Sequence, residues 1–195
     1  MGGKNVFRAK DGTLNFRDRV KERVDFTDWV VVYSQGQNPK YDDGDADNLV
    51  SLINEASQAY QIKFKDPGFI TCDTNINDWK NQIKKDVDKN GKPQIIVLFL
   101  NPKEEKYYAE LKRFITCELK IPSQGIKRKT VGPKSKNPLS AASKIIIQMN
   151  QKIGGQAWEI NRSGFFAKRR GMYGAFSISK GKKGFTLAFV GSLNT

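Results

Sequence analysis

The sequence has no histidine, and this absence removes more chemistry than any other feature of its composition. Without an imidazole there is no histidine general base, no Ser-His or Cys-His nucleophile pair and no histidine-bound zinc. Cysteine is nearly missing too. Cys72 and Cys117 are too few for a disulfide framework and lack metal-ligand spacing, so both are read as reduced, buried and inert. No run approaches the roughly 18 apolar residues of a membrane span. The N-terminus lacks the apolar stretch of a signal peptide, and Val6 stands where a myristoylation signal needs Ser or Thr. Neither membrane nor secretion is indicated, and the expected location is cytoplasmic and/or nuclear. Glycine-rich phosphate loops are also absent. Val32-Tyr33-Ser34-Gln35-Gly36 is not a GxGxxG turn, and no GxxxxGK[ST] occurs. Asp43, Asp45 and Asp47 imitate the start of a calcium loop, but Asn48 and Asn54 occupy the positions that need Gly and Glu. These acids are read as charge at a helix start.

Acidic residues become scarce in the second half. Residues 101–195 carry 19 Lys+Arg against 5 Asp+Glu, whereas residues 1–100 carry 15 of each, so the whole net charge of +14 lies in the second half. Such a field costs self-repulsion and points to an anionic partner, most often nucleic acid or a lipid surface. A chain of 195 residues with 38% hydrophobic content suits one domain, or one domain plus a fragment.

Strands and helices alternate along the chain. Asp28–Tyr33 is an apolar run bounded by turn formers and reads as a buried strand. A helix is expected from Asp42–Asp47 to about Tyr60, a short strand at Phe69–Cys72, and a polar helix from Asn75 to Asp88. Pro93–Leu100 is the strongest strand signal. It is followed by a helix over Glu104–Leu119, a strand over Gln124–Val131 and an amphipathic helix over Leu139–Lys152, ended by Gly154-Gly155. This order predicts an α/β fold: a Rossmann-like, mostly parallel sheet with helices on both faces, whose ligands sit at the C-terminal ends of strands. Residues 1–27 read as a polar linker or arm and 28–155 as the main domain. Residues 156–195 are glycine-rich and basic with short strands at Tyr173–Ser179 and Phe185–Gly191, as at the start of a second domain that the chain does not complete.

Two polar pairs carry the functional signal. Tyr108 and Lys112 are four residues apart on one predicted helix, and Gln148 and Lys152 are four apart on another, so each pair shares a face. Pro122-Ser123-Gln124-Gly125 lies between them in sequence and adds an amide. Two ammonium groups, two amides and a phenol could converge on one small anion. By spacing alone, scattered surface residues of amphipathic helices are the favoured reading.

These residues resemble those of a known family. Tyr108-Ala109-Glu110-Leu111-Lys112, then Gln124, then Ala142-Ser143-Lys144-Ile145-Ile146-Ile147-Gln148-Met149-Asn150-Gln151-Lys152-Ile153-Gly154-Gly155 is similar to the MID domain of Argonaute/Piwi proteins, and to the Piwi branch in particular. The resemblance implies that Tyr108, Lys112, Gln124 and Lys152 grip the 5′-phosphate of a small single-stranded guide RNA. The Argonaute branch has a lysine at the position of Gln148. The resemblance to Piwi proteins implies a magnesium ion held there, between Gln148 and the guide phosphates. An amide oxygen can ligate a hard cation, which an ammonium cannot.

The loop Asn101, Pro102, Lys103 falls where the family reads the first guide base. Its plainer reading is a strand-to-helix connection in which Glu104 and Glu105 serve the helix dipole. Lys127, Arg128 and Lys129, with Lys134 and Lys136, form the densest charge run. That run could track the RNA backbone or simply be solvated. Residues 156–195 resemble the first strands of the family's PIWI domain, which has an RNase H fold. In slicing members an aspartate follows a glycine there, but this chain reads Gly174-Ala175-Phe176-Ser177 and has no Asp after Asp88. The expectation is therefore a guide-anchoring chain without catalytic residues, either a fragment of a longer Piwi protein or a divergent non-slicing member, and a monomer is expected. The rival readings are the anchoring part of an RNA-cleaving endonuclease and a basic protein-interaction module.

Overall fold

A computed structural model describes residues 20–34, 44–73, 75–132, 135–158, 171–181 and 184–194. The first nineteen residues of the expected arm, the helix start at Asp42 and Asp43, and Lys134 lie outside the described residues. Strand β1 is Trp29–Ser34, β2 Gly68–Cys72, β3 Ile95–Leu100 and β4 Ser123–Lys127. They form one sheet in the order β2-β1-β3-β4, and every pairing is parallel. β1 and β3 are central and buried at every residue, which explains their unbroken apolar runs.

The helices cover both faces of the sheet. Helix α1, Gly44–Ser57, packs Ala46, Leu49, Ile53 and Ala56 against Trp29, Val31 and Tyr33 of β1 and Ile95, Val97 and Phe99 of β3. Helix α5, Pro138–Lys152, joins the same layer through Ala142, Ile146 and Met149. On the other face, α2 (Ile76–Asn90) and α3 (Tyr108–Arg113) place Trp79, Ile83 and Leu111 over Val30, Val32, Ile96 and Leu98. Alternate strand residues thus feed opposite layers, as a strand's two-residue period requires. Local chemistry sets the helix starts. Asn75 caps α2 by accepting from the Asn77 amide, and Asn137 caps α5 by accepting from Ser140, with Pro138 in the first turn.

Four sequence expectations change. The helix expected over Glu104–Leu119 is compound: a 3₁₀ turn at Glu105–Tyr107, then α3, then a π turn at Phe114–Glu118. The strand expected to reach Val131 stops at Lys127, and Arg128–Val131 turns into a short helix, α4. Arg128 does this by folding its guanidinium inward, as described below. The described end of the arm is not a linker. Phe26 is fully buried and stacks on Phe64 at 4.2 Å, and the Glu22 and Lys21 amides donate to Gln156 and Ala157. Buried Asn150 clamps this segment, accepting from the Val24 amide at 2.9 Å and donating to the Glu22 carbonyl at 2.9 Å. Finally, Cys117 is exposed, whereas Cys72 is buried and burial pushes its thiol pKa up.

The described residues from 171 onward form a separate unit. It is an antiparallel hairpin of β5 (Gly171–Gly181) and β6 (Gly184–Asn194), with Phe176 opposite Phe189. No described helix is long and apolar enough to cross a membrane.

Candidate functional site

The residues singled out in the two helices meet around the first half of the edge strand β4. Lys112 on α3 donates from Nζ to the Ser123 carbonyl at 2.6 Å and to Ser123 Oγ at 2.8 Å. Lys152, in the last turn of α5, donates to the same carbonyl at 2.9 Å and to Gln124 Oε1 at 2.5 Å. Gln124 Nε2 in turn donates to Gln148 Oε1 at 3.2 Å and to the Gly125 carbonyl at 3.1 Å. Tyr108, one turn before Lys112, is 41% exposed and lays its ring against Gly125. A Cβ on Gly125 would stand 2.5 Å from Cε2 of that ring, so glycine is what lets the phenol lie flat on the strand. All five residues, Tyr108, Lys112, Gln124, Gln148 and Lys152, therefore converge. They do so near the beginning of β4, not at the C-terminal strand ends where the fold class led us to expect a ligand. α3 and α5 flank the edge strand there, and both donate their long side chains to it.

Sequence reasoning did not assign roles to Ser123 and Gly125. Ser123 supplies the oxygen atoms that hold both lysines, and Gly125 the flat seat for Tyr108. A glycine one residue into a strand was the available signal.

The electrostatics of this cluster are unbalanced. Two ammonium groups share one carbonyl oxygen, and every acceptor they contact among the described residues is neutral. Burial lowers the pKa of Lys112. Burial, and then the charge of Lys112, lower that of Lys152 from 10.5 to about 8. Like charges held this close favour an anion between them. The sign of the pH effect follows. Between about pH 8 and the ordinary lysine range, the unfolded chain holds the Lys152 proton and the folded chain has lost it, so the unligated fold gains stability as pH rises through that window. Anion binding runs the other way, because it needs the proton. Affinity for a phosphate monoester, already doubly charged above its second pKa of about 6, should fall as pH rises past about 8. Titration of a 5′-phosphorylated RNA from pH 7 to 9 checks this, and Lys152→Arg should flatten the decline because guanidinium stays charged.

A cleft of about 400 Å³ opens beside the lysines, lined by Lys112, Thr116, Lys120, Ile121, Pro122, Ser123 and Lys152. A second cleft, of about 280 Å³, lies near the C-terminal ends of β3 and β4 and is lined by Leu49, Leu52, Phe99, Val131 and Pro138 together with Asp45 and Arg128.

The basic run does not behave as one surface. Arg128 is 4% exposed. Its guanidinium lies 4.8 Å over the Phe99 ring, and Nη1 donates to Asp45 Oδ2 at 3.2 Å. It is a buried cross-link between α4 and α1 and cannot track an RNA backbone. Lys127 and Lys129 are more than half exposed and both reach Glu105, at 2.6 and 3.2 Å. Their ammonium groups, Lys127 first, hold the Glu105 carboxyl below the usual range. Glu105 thus serves these lysines as well as a helix start.

The first-base loop is also corrected in part. Asn101 is buried, and its Nδ2 donates to Ser34 Oγ at 3.0 Å. Glu104 is buried beside it, accepting from Ser34 Oγ at 2.5 Å and from the Asn101 amide at 2.8 Å. These two side chains tie the end of β1 to the turn after β3 and are buried from solvent. Pro102 and Lys103 are exposed on that turn.

Residues 95–187 match the Piwi domain family. Protein argonaute-3 of Drosophila melanogaster is 25% identical over 141 residues, covering 70% of this chain. That alignment takes in 15% of the relative's own length, so the chain spans about a seventh of it. A crystal structure of Drosophila Piwi superposes with a TM-score of 0.73 at 18% identity, over 91% of this chain and 26% of that one. The MID domain of Arabidopsis thaliana AGO5 superposes with a TM-score of 0.55 at 22% identity, over 71% of this chain and 96% of that domain. These two likenesses show the fold.

Proposed function

We propose, from the premise that this chain is homologous to Argonaute/Piwi proteins and carries a Piwi-domain match, that it anchors the 5′-phosphorylated end of a small single-stranded guide RNA for silencing. The observation that carries this reading is the pair of ammonium groups from Lys112 and Lys152 on one carbonyl oxygen of Ser123, with no carboxylate at either nitrogen among the described residues. A terminal phosphate supplies the missing negative charge through charge-assisted hydrogen bonds. Gln124 adds a directional amide beside it. Tyr108 offers an exposed ring on which the first base stacks.

Magnesium belongs to the same proposal. The donor set fits a hard cation in one respect and not in another. Gln148 and Gln124 present neutral amide oxygens, which such a cation accepts, but no acid stands among their contacts. Gln148 would hold the ion only with the RNA phosphates as its remaining ligands, and the ion would then supply positive charge that a lysine at this position would otherwise give. We assign anchoring and not cleavage to this chain, because its sequence has no Asp beyond Asp88 and Gly174–Ser177 carries no carboxylate.

A binding comparison tests the reading. Removing only the 5′-phosphate from an RNA should weaken binding far more than changing its interior sequence, and magnesium chelation should weaken the phosphorylated RNA alone. A basic protein-interaction surface would respond to neither change, and a nuclease would cleave a guide-matched target in the presence of metal.

A further inference from the structure

The anchoring cleft extends past the point where one phosphate would sit. Tyr108, Lys112, Thr116 and Lys120 follow one another along the same stretch of chain, from α3 through the π turn to the residue before Ile121. Tyr108 lies on one side of Lys112, against Gly125. Thr116 and Lys120 lie on the other side and line the cleft of about 400 Å³ together with Lys112, Ser123 and Lys152. Lys120 sits at a backbone φ of +57°, a left-handed conformation that turns the chain sharply from the π turn into β4. Thr116 and Lys120 are exposed, and neither side chain makes a hydrogen bond or ion pair among the described residues. A third ammonium and a hydroxyl therefore face a space that the Lys112–Lys152 pair does not fill.

Direction decides what could enter that space. If the first base stacks on Tyr108 and the 5′-phosphate lies at Lys112 and Lys152, the sugar and the rest of the RNA lie on the Tyr108 side. Whatever lies beyond the phosphate, away from the base, is attached to the 5′-phosphate itself. The chemistry waiting there, an ammonium with a hydroxyl donor, is that of a phosphate subsite. We propose that the cleft accepts RNA with a 5′-diphosphate or 5′-triphosphate end, and that Lys120 and Thr116 bind the β-phosphate. This rests on the guide-anchoring reading and narrows its ligand to the state of the 5′ end.

The test compares three RNAs of one sequence, ending in 5′-hydroxyl, 5′-monophosphate and 5′-diphosphate, bound to the full chain. The wild-type chain should bind the diphosphate about 10-fold more tightly than the monophosphate, the worth of one charged hydrogen bond. Lys120→Ala should abolish that gain while leaving monophosphate affinity unchanged, which also shows that the variant is folded. Lys84→Ala, which removes an exposed lysine of α2, should leave the gain intact and so separates a subsite from general attraction to added charge. A diphosphate that binds no better than the monophosphate overturns the subsite but leaves the anchoring reading standing, provided the monophosphate still outcompetes the hydroxyl. If monophosphate and hydroxyl bind alike, the anchoring reading and the subsite fall together. A Lys120→Ala variant that weakens all three RNAs equally also overturns the subsite.

Discussion

Replacing Lys112 or Lys152 with alanine should lower affinity for a 5′-phosphorylated RNA by about 10- to 100-fold, the worth of one charged hydrogen bond in a partly desolvated site. A 5′-hydroxyl RNA of the same sequence should be nearly unaffected. The reason is geometric. Both ammonium groups are already gathered on the Ser123 carbonyl, so a phosphate finds them in place and little side-chain entropy is lost on binding. Replacing both should cost less than the sum of the single losses, because each lysine's charge burdens the other in the unligated state. The single and double variants, measured against the RNA pair by fluorescence anisotropy, separate this from a general basic surface, which would weaken both RNAs equally.

The second large effect is on stability. Asp45→Ala should destabilise the fold by about 3 kcal/mol, near the lower end for breaking a buried ion pair, since Asp45 itself stands at the rim with 24% of its side chain exposed. The Arg128 guanidinium would keep the Phe99 ring at 4.8 Å and the Ser34 carbonyl at 3.4 Å from Nη2, but would lose the Asp45 carboxylate. Urea unfolding followed by tryptophan fluorescence checks this. RNA affinity of the folded protein should change by less than roughly twofold, because Asp45 shares no partner with Lys112 or Lys152. A variant as stable as the parent would show that Arg128 does not depend on this acid.

The contrast between these two sites shows what a sequence can and cannot convey. The parallel sheet was legible because β1 and β3 are apolar on both faces, and only a strand covered on both faces is built that way. The shared faces of Tyr108 with Lys112 and of Gln148 with Lys152 were legible, because a spacing of four residues fixes a shared face whatever the tertiary structure. The place where the pairs meet was not legible, since it depends on α3 and α5 both flanking the edge strand β4. Arg128 was misread because Lys127 and Lys129 on either side are exposed, and nothing local distinguishes the middle cation. Its fate is decided by Asp45, 83 residues away in sequence, and by the Phe99 ring beneath it. The burial of Asn101 was hidden for the same reason, with Ser34 as the distant partner. The described end of the arm, with Phe26 in the core, is a third case. A polar segment with scattered phenylalanines looks like a linker until the cavity that one of them, Phe26, fills is known.

The central claim is that Lys112 and Lys152 form a pocket for a terminal phosphate, and a crystal structure of the chain with a nucleoside 5′-monophosphate tests it most directly. The account predicts phosphate oxygens within hydrogen-bonding distance, about 2.7–3.2 Å, of both lysine nitrogens, beside the Gln124 amide, with the base on the Tyr108 ring. Phosphate bound instead at Lys127 and Lys129, with the Lys112–Ser123–Lys152 cluster unchanged from its unligated geometry, would contradict it.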